Sequence, residues 1–495
     1  MNRIILSLLF LAPAFAGARL DAADAVAQPA QPGEAEAFIA KMQAIAAAAA
    51  AQAAQPAPAP SAQQTVSTAP VQAEPAAAAA PEISTAPAPA EEPQPETAAQ
   101  PQAQAPSPYK LMGRVDVSGG QYFYQGQKGA FNGYGLLDAQ LAKSNSSSSG
   151  YFFSLRSVYT GFKQVNELAG GGTLFQQSMD HSLGVKWIRR YEGGWSLKPR
   201  VGVKKELFRE TKDEKWGKGL YDFTRYEAGL TLERKTRLGL SVPWTYQLSW
   251  DAYYTRYDRF KTLASQYGQE LAAPNPGSRT LDTVTNQLSY DSEFDLPGFL
   301  RADVFAALSV IGYPDQKVIN SDGRYLPSRR SDTYQALNLG LNKRYNDVAA
   351  FGGVRPVLGM SLGFANLISN QNHLDTDPAH LKYIHSFYDY SELRAGPNAY
   401  FTFVGSGMTA SLAYEFAVRS YGDRLAQKTD GSYTSKKLKQ YSGGFTAEAA
   451  YPLSDHLDVK LRGNWALSRS NNRYEQVYRY NYSSSMYFTG LEWRF

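Results

Sequence analysis

The sequence predicts an all-β fold, a closed antiparallel barrel of sixteen strands, preceded by a long low-complexity tail. Three observations predict it. From residue 108 onward, apolar and polar side chains alternate with the two-residue period of strands. The connections between these segments alternate between short and long. The composition joins 33 Tyr, 24 Phe and 41 Gly to an absence of Cys. A secreted soluble domain of this size often carries disulfides, whereas a closed sheet takes its rigidity from a complete hydrogen-bond ladder. Past the extreme N-terminus no apolar run approaches the roughly 18 to 20 residues of a membrane-spanning helix, and mean hydropathy is negative. A spanning strand escapes that test because its polar face halves its hydropathy.

Residues 1–18 read as a secretory signal. Arg3 supplies the positive end, Ile4 to Phe10 the apolar centre, and Ala14-Phe15-Ala16 or Ala16-Gly17-Ala18 the small-residue cleavage site. No Cys follows it, so there is no lipoprotein-type anchor signal. Residues 19–107 are rich in Ala, Pro and Gln, with nine acids against Arg19 and Lys41; such a segment builds no core and is expected to be disordered. Within it, residues 34–54 have the propensity for one short helix, and Phe38, Met42 and Ile45 would share a face. That helix is either transient or a docking element for a periplasmic or cell-wall partner. The Pro-rich tether from Gln55 to Ser107 would reach on the order of 160 Å at about 3.1 Å per residue.

Residues 108–495 form the predicted barrel. The sixteen candidate strands begin near Leu111, Tyr134, Tyr151, Ser178, Leu197, Thr224, Trp244, Val284, Leu300, Thr333, Val354, Tyr388, Thr409, Gln440, Leu457 and Tyr480. Short connections fall at Asn145 to Gly150, Glu192 to Trp195, Asp295 to Gly298, Gly405 to Gly407 and Tyr451 to His456. Long ones fall at Lys163 to Gln176, Arg209 to Tyr221, Phe260 to Arg279, Asp315 to Arg330, Ser369 to Ser386 and Gly422 to Lys437. Short turns at one end and long loops at the other are the pattern of a barrel spanning an outer membrane. An even strand number sets both barrel ends on the short-turn side, in agreement with a periplasmic tail.

The last strand carries a resemblance. Tyr487, Leu491, Trp493 and the terminal Phe495 fall on one two-residue period, broken only by Thr489, with Glu492 and Arg494 on the other face. This resembles the C-terminal strand of bacterial outer-membrane β-barrels, the segment that superfamily presents to its assembly machinery. The resemblance is porin-like and picks out no single member. It implies the outer membrane of a Gram-negative-type bacterium, and as partners the barrel assembly machinery, outer-membrane lipid and lipopolysaccharide. Assembly as a monomer or as a homotrimer is left open.

With polar faces turned inward, strands three to six contribute a basic arc of Arg156, Lys186, Lys198, Arg200, Lys204 and Arg225. Strands seven to nine contribute an acidic arc of Asp251, Asp291, Glu293 and Asp303. In a lumen wide enough for water the two arcs would set up a transverse field that orients polar solutes. The competing reading is that the charges pair across strands and solvate the wall. Three of the 50 basic and nine of the 45 acidic residues lie before residue 108, which leaves the barrel at about +11 and attractive to anions. Lys204 to Lys218 reads as a loop whose Lys205, Arg209, Lys212, Lys215 and Lys218 are a candidate contact for lipid phosphates, but Glu206, Glu210, Asp213 and Glu214 favour a solvated mixed loop.

The expected function is a channel for hydrophilic, and by charge anionic, solutes. The alternatives are a dedicated exporter of a polysaccharide or polypeptide, with Tyr253, Tyr257, Tyr388, Tyr390 and Tyr400 as aromatic platforms, and an occluded barrel that anchors the envelope through its tail. Enzymatic chemistry finds little support. His373, Asp375, Asp377, His380 and His385 share one long loop, but their spacing enforces no metal site, and no metal or cofactor is expected. Ser157 and His181 would project outward, opposite each other, with no outward carboxylate on strand two or five to orient the histidine. No phosphate loop, dinucleotide fingerprint or nucleic-acid motif occurs.

Overall fold

A ladder that closes on itself accounts for nearly all of the structure. The computed structural model describes residues 109–164, 175–209, 214–239, 242–260, 279–475 and 480–495. The expected leader, tail and helix lie outside the described residues. The strands are β1 Tyr109–Tyr124, β2 Gln127–Ser146, β3 Ser149–Gln164, β4 Phe175–Arg190, β5 Trp195–Arg209, β6 Phe223–Leu238, β7 Val242–Tyr257, β8 Thr283–Leu296, β9 Leu300–Ile319, β10 Tyr325–Arg344 and β11 Val354–Ser369. There follow β12 His373–Asp375, β13 Lys382–Ile384, β14 Tyr390–Phe403, β15 Thr409–Gln427, β16 Tyr433–Pro452, β17 Leu457–Ser470 and β18 Tyr482–Arg494. Sixteen of them form one closed antiparallel barrel, while β12 and β13 pair as a separate small hairpin.

Closure is made by β1 against β18, from Arg114 opposite Arg494 to Tyr124 opposite Ser484. Gly113 and Phe495 then exchange backbone hydrogen bonds in both directions, at 2.9 and 3.0 Å. The barrel itself is thereby left without an edge strand. The two faces separate as the alternation requires. Leu337, Leu339 and Leu341 of β10, and Leu358, Met360, Leu362 and Phe364 of β11, are exposed on the outside. Asn338, Gly340 and Asn342 alternate with the first set and face in, where Asn342 donates to Asp303 at 3.2 Å.

The sixteen strands match those expected, with three differences in length. β2, β10 and β16 begin seven or eight residues before the apolar alternation does. Their early halves, such as Tyr325–Arg330 and Tyr433–Lys439, rise above the apolar belt, where nothing demands an apolar face. Two loops expected at 315–330 and 422–437 are therefore hairpin extensions, turning at 320–324 and 428–432. The β1–β2 connection is the exception at the long-loop end. It is a two-residue turn, with Gln125 and Gly126 at φ 49° and 77°, the left-handed pair of a type I′ hairpin.

Residues at or beside the long-loop ends of β11, β14, β15, β16 and β18 build a cap. Leu367, Tyr388, Tyr390, Tyr421, Leu438 and Tyr480 cluster around Phe387, on the inner side of the long-loop end. Beneath them the Arg330 side chain is wholly buried. It pairs with Asp332 at 2.6 Å and is sandwiched by the rings of Tyr313 and Tyr388, at 4.4 and 4.2 Å. Ser369 and Tyr313 also donate to Asp332, at 2.5 and 3.1 Å. Tyr388 and Tyr390, expected as solute platforms, are instead packing residues of this cap.

Removing one member of a buried pair strands the other charge in a low-dielectric site, at a cost of about 3 kcal/mol. Arg330→Met is expected to loosen the cap by that order, seen as faster amide exchange across 367–390. Adding Asp332→Asn in the same chain should restore most of the protection.

Candidate functional site: the charged inner wall

Residues opposite one another across consecutive ladders share a face, so register alone defines rows along the inner wall. One row runs Lys186, Arg200, Gly229, Asp251, Gln287, Ser309 over six strands. Gly229 is its hinge point. Lacking a side chain, it lets Arg200 reach across β6 to the buried Asp251, where Nη2 contacts Oδ1. A Cβ at residue 229 would collide with that carboxylate and lie 3.0 Å from Arg200 Nε. Arg200 also donates to Thr231 at 2.8 Å, Thr231 bonds Ser249 at 2.8 Å, and Ser309 donates to Gln287 at 3.1 Å. The row is a continuous polar seam.

All ten residues of the two expected arcs stand on this wall, and most of them are partnered. Lys198 pairs with Glu233 at 2.5 Å, and Lys204 lies between Asp180 at 2.6 Å and Glu206 at 3.0 Å. Arg225 lies 3.7 Å from Glu227 and over the ring of Tyr253. Arg301 bridges Glu293 and Asp303. Elsewhere Arg394 and Arg419 flank Glu392, Arg462 holds Glu448, and Lys460 lies between Asp116 and Glu492. Two uncompensated arcs therefore do not face each other, because the Arg200–Asp251 bridge stitches their boundary. Among the described residues Arg156, Lys186 and Arg355 have no carboxylate in ion-pair range, nor has Asp291 a cation. The three cations are exposed on the inner wall. Arg156 stands opposite Asp138 in the ladder without closing a pair.

Lys204 to Arg209 belong to β5 rather than to a loop, so Lys204 turns inward and Lys205 outward. Of the C-terminal strand, Tyr487, Leu491, Trp493 and Phe495 are exposed on the outer face. On the outer wall Ser157 and His181 lie opposite each other, as the strand parity predicts, with Oγ and Nδ1 2.9 Å apart. The imidazole's other ladder neighbour is Lys205.

The His-rich loop resolves into separate contacts. His380 sets Nδ1 2.6 Å from Asp375 and Nε2 3.1 Å from Asp377, and Tyr433 donates to Asp375 at 2.8 Å. His385 bonds Ser386 at 2.6 Å. His373 is buried beneath the ring of Phe387 at 4.4 Å. Among the described residues no three His, Asp or Glu side chains converge as metal ligands would. Burial, reinforced by Arg424 and opposed by Asp375, pushes the His373 imidazole down to about 4.

No protein-family model matches the chain, and no curated protein sequence does. Several solved structures have a distant likeness to it, some of them described as outer-membrane proteins. OmpT of Vibrio cholerae is 8% identical over 78% of this chain and 97% of its own, with a TM-score of 0.38. OpdQ of Pseudomonas aeruginosa is 9% identical over 78% and 97%, also at 0.38. A bacterial polysaccharide outer membrane secretin is 10% identical over 78% and 98%, at 0.37. What the ladder itself shows is a closed antiparallel barrel of sixteen strands. Likenesses this distant name no solute for it.

Gly229→Leu is expected to separate Arg200 from Asp251 and to lower the unfolding free energy in urea by about 3 kcal/mol, as for a broken buried pair. At Gly135 a Cβ meets only ordinary contact, 3.8 Å from Tyr159, so Gly135→Ala should change little. For the cap, His373 binds its proton near the ordinary 6.5 once released but only near 4 when buried. Cap stability is therefore full above 6.5 and falls as pH drops from there toward 4. Protease resistance of 370–389 should weaken over that window, and less so in His373→Leu.

Proposed function

We propose that the chain is an outer-membrane channel for hydrophilic solutes that favours anions. In this reading the long-loop end faces outside the cell and the segment before the barrel lies in the periplasm. The observation that carries it is the contrast between the two walls. The outer wall is an apolar belt, whereas the inner wall carries most of the charge, interrupted by apolar side chains such as Leu136, Phe152 and Phe305, and keeps Arg156, Lys186 and Arg355 accessible. A barrel of sixteen strands is wide enough to hold an aqueous channel. Paired charges make its wall wettable at little net potential, so the unpaired cations set the sign of the field a passing ion meets.

The cap also favours a second reading, a barrel closed at rest that exports a polysaccharide or polypeptide or anchors the envelope through residues 19–107. Deleting 19–107 separates the two, since a passive channel keeps its conductance and an exporter or anchor loses its function.

Planar-bilayer recording of the full chain tests the channel. Steady conductance with anion preference is expected, and Arg156→Glu with Lys186→Glu should remove or invert that preference. The partnered Lys198→Glu and Arg200→Glu should act mainly on stability. A silent barrel, or selectivity indifferent to Arg156 and Lys186, would refute the proposal.

A further inference from the structure

One hydrogen-bonded row crosses the outer wall from rim to rim. It runs Trp493, Val115, Leu137, Ser157, His181, Lys205, Thr224, Arg256 through eight consecutive strands. Trp493 lies at the short-turn end of β18, and Arg256 at the long-loop end of β7. In a barrel whose strands tilt by about 40°, such a row climbs about 3 Å per strand. Its seven steps rise about 20 Å, most of an apolar belt about 25 Å tall.

The lower part of the row is apolar, as a wall against hydrocarbon should be. The upper five residues are all polar, although Ser157, His181 and Lys205 each sit between outward apolar neighbours on their own strands: Leu155 and Tyr159, Met179 and Leu183, Val203 and Leu207. A lysine on the lipid side costs about 2 to 4 kcal/mol near the midplane and less toward the interface. The alternation would set an apolar residue there at no such cost. We propose that this seam is a binding site for a phosphate-bearing lipid of the outer leaflet.

The chemistry of the seam changes with depth in the order that such a lipid requires. Outermost are the cations. Arg256 contacts Asp258 at 2.9 Å, and Lys205 lies 3.6 Å from the same carboxylate and 3.3 Å from Thr224 Oγ1. Asp258 is the one carboxylate within ion-pair distance of both cations, while Asp222 and Asp282 lie buried behind them, bonded by the backbone N–H groups of Phe208, Gly219 and Tyr257. Deeper lie Ser157 and His181, with Oγ and Nδ1 2.9 Å apart; in the tautomer in which Ser157 donates, the imidazole presents Nε2–H, a donor suited to an acyl-ester carbonyl. Below them Leu155, Leu183 and Val201 meet the acyl chains. Phosphate, ester and chain thus each face a matching stretch of wall. The inference rests on the membrane placement proposed above but not on channel activity, so conductance can fail while lipid capture holds.

The full chain, purified in a non-ionic detergent, is offered a bisphosphorylated glycolipid, phosphatidylglycerol or diacylglycerol, and retained lipid is counted by native mass spectrometry. Wild type should retain at least one phosphate lipid and not diacylglycerol; which of the two it holds identifies the source. Lys205→Gln with Arg256→Gln should reduce retention about tenfold, as loss of charge-assisted contacts does. His181→Leu should reduce it less, and Lys439→Gln, on a distant strand, should leave it unchanged. Each variant must first show the heat-resistant compact migration of a folded barrel. Equal retention of diacylglycerol, indifference to the double variant, or an equal loss in Lys439→Gln would overturn the site. Fatty acid released by wild type but not by Ser157→Ala would also overturn it, in favour of hydrolysis.

Discussion

A wall that meets hydrocarbon on one side has no water to satisfy its backbone there, so every strand must find a partner on each side. The β1–β18 pair is where that condition is met last. It joins residues nearly four hundred positions apart, and the backbone bonds between Gly113 and Phe495 finish it at the chain's final residue. Gly113 has no room for more, since a Cβ there would lie 2.5 Å from the Phe495 ring. The aromatic terminus is thus a packing element of the seam as well as a surface feature. The other ladders are local hairpins, cheap in loop entropy, whereas this contact carries the long-range closure.

Inside, the governing constraint is desolvation. Charges lining a crowded wall lose part of their water, and the barrel answers by placing opposite signs within reach across one or two ladders. Where the partner lies two strands away, the intervening position is emptied, as Gly229 shows between Arg200 and Asp251. The same solution recurs at Gly359, where Asn342 and Asn398 would both crowd an added Cβ. Glycine in these strands is a spacer for side chains of neighbouring strands. The few charges left without partners are consequently more informative about traffic through the lumen than the many with them.

Much of this was legible in the sequence, for a physical reason. A two-residue alternation states which way every side chain turns. The inward placement of Arg156, Lys186 and Asp251 and the outward meeting of Ser157 with His181 both follow from parity. Antiparallel neighbours with short turns then bring the right pairs together. What escaped was anything set by contacts between strands not adjacent in the ladder, or by loops. The glycine gap at residue 229 reads in sequence only as a weak strand position. The Arg330–Asp332 pair falls in a stretch whose polarity suggested an open loop. Tyr388 and Tyr390 had the right residue type for a solute platform, but their burial depends on a loop folding inward, which no periodicity encodes.

The tight Gln125–Gly126 turn bears on how anything gets in. Among the described residues, β9 to β18 carry the cap, whereas between β1 and β2 the ladder ends in a two-residue turn. A turn of two residues leaves no chain at that point of the rim to fold over the lumen, so any shutter there has to be carried by another strand.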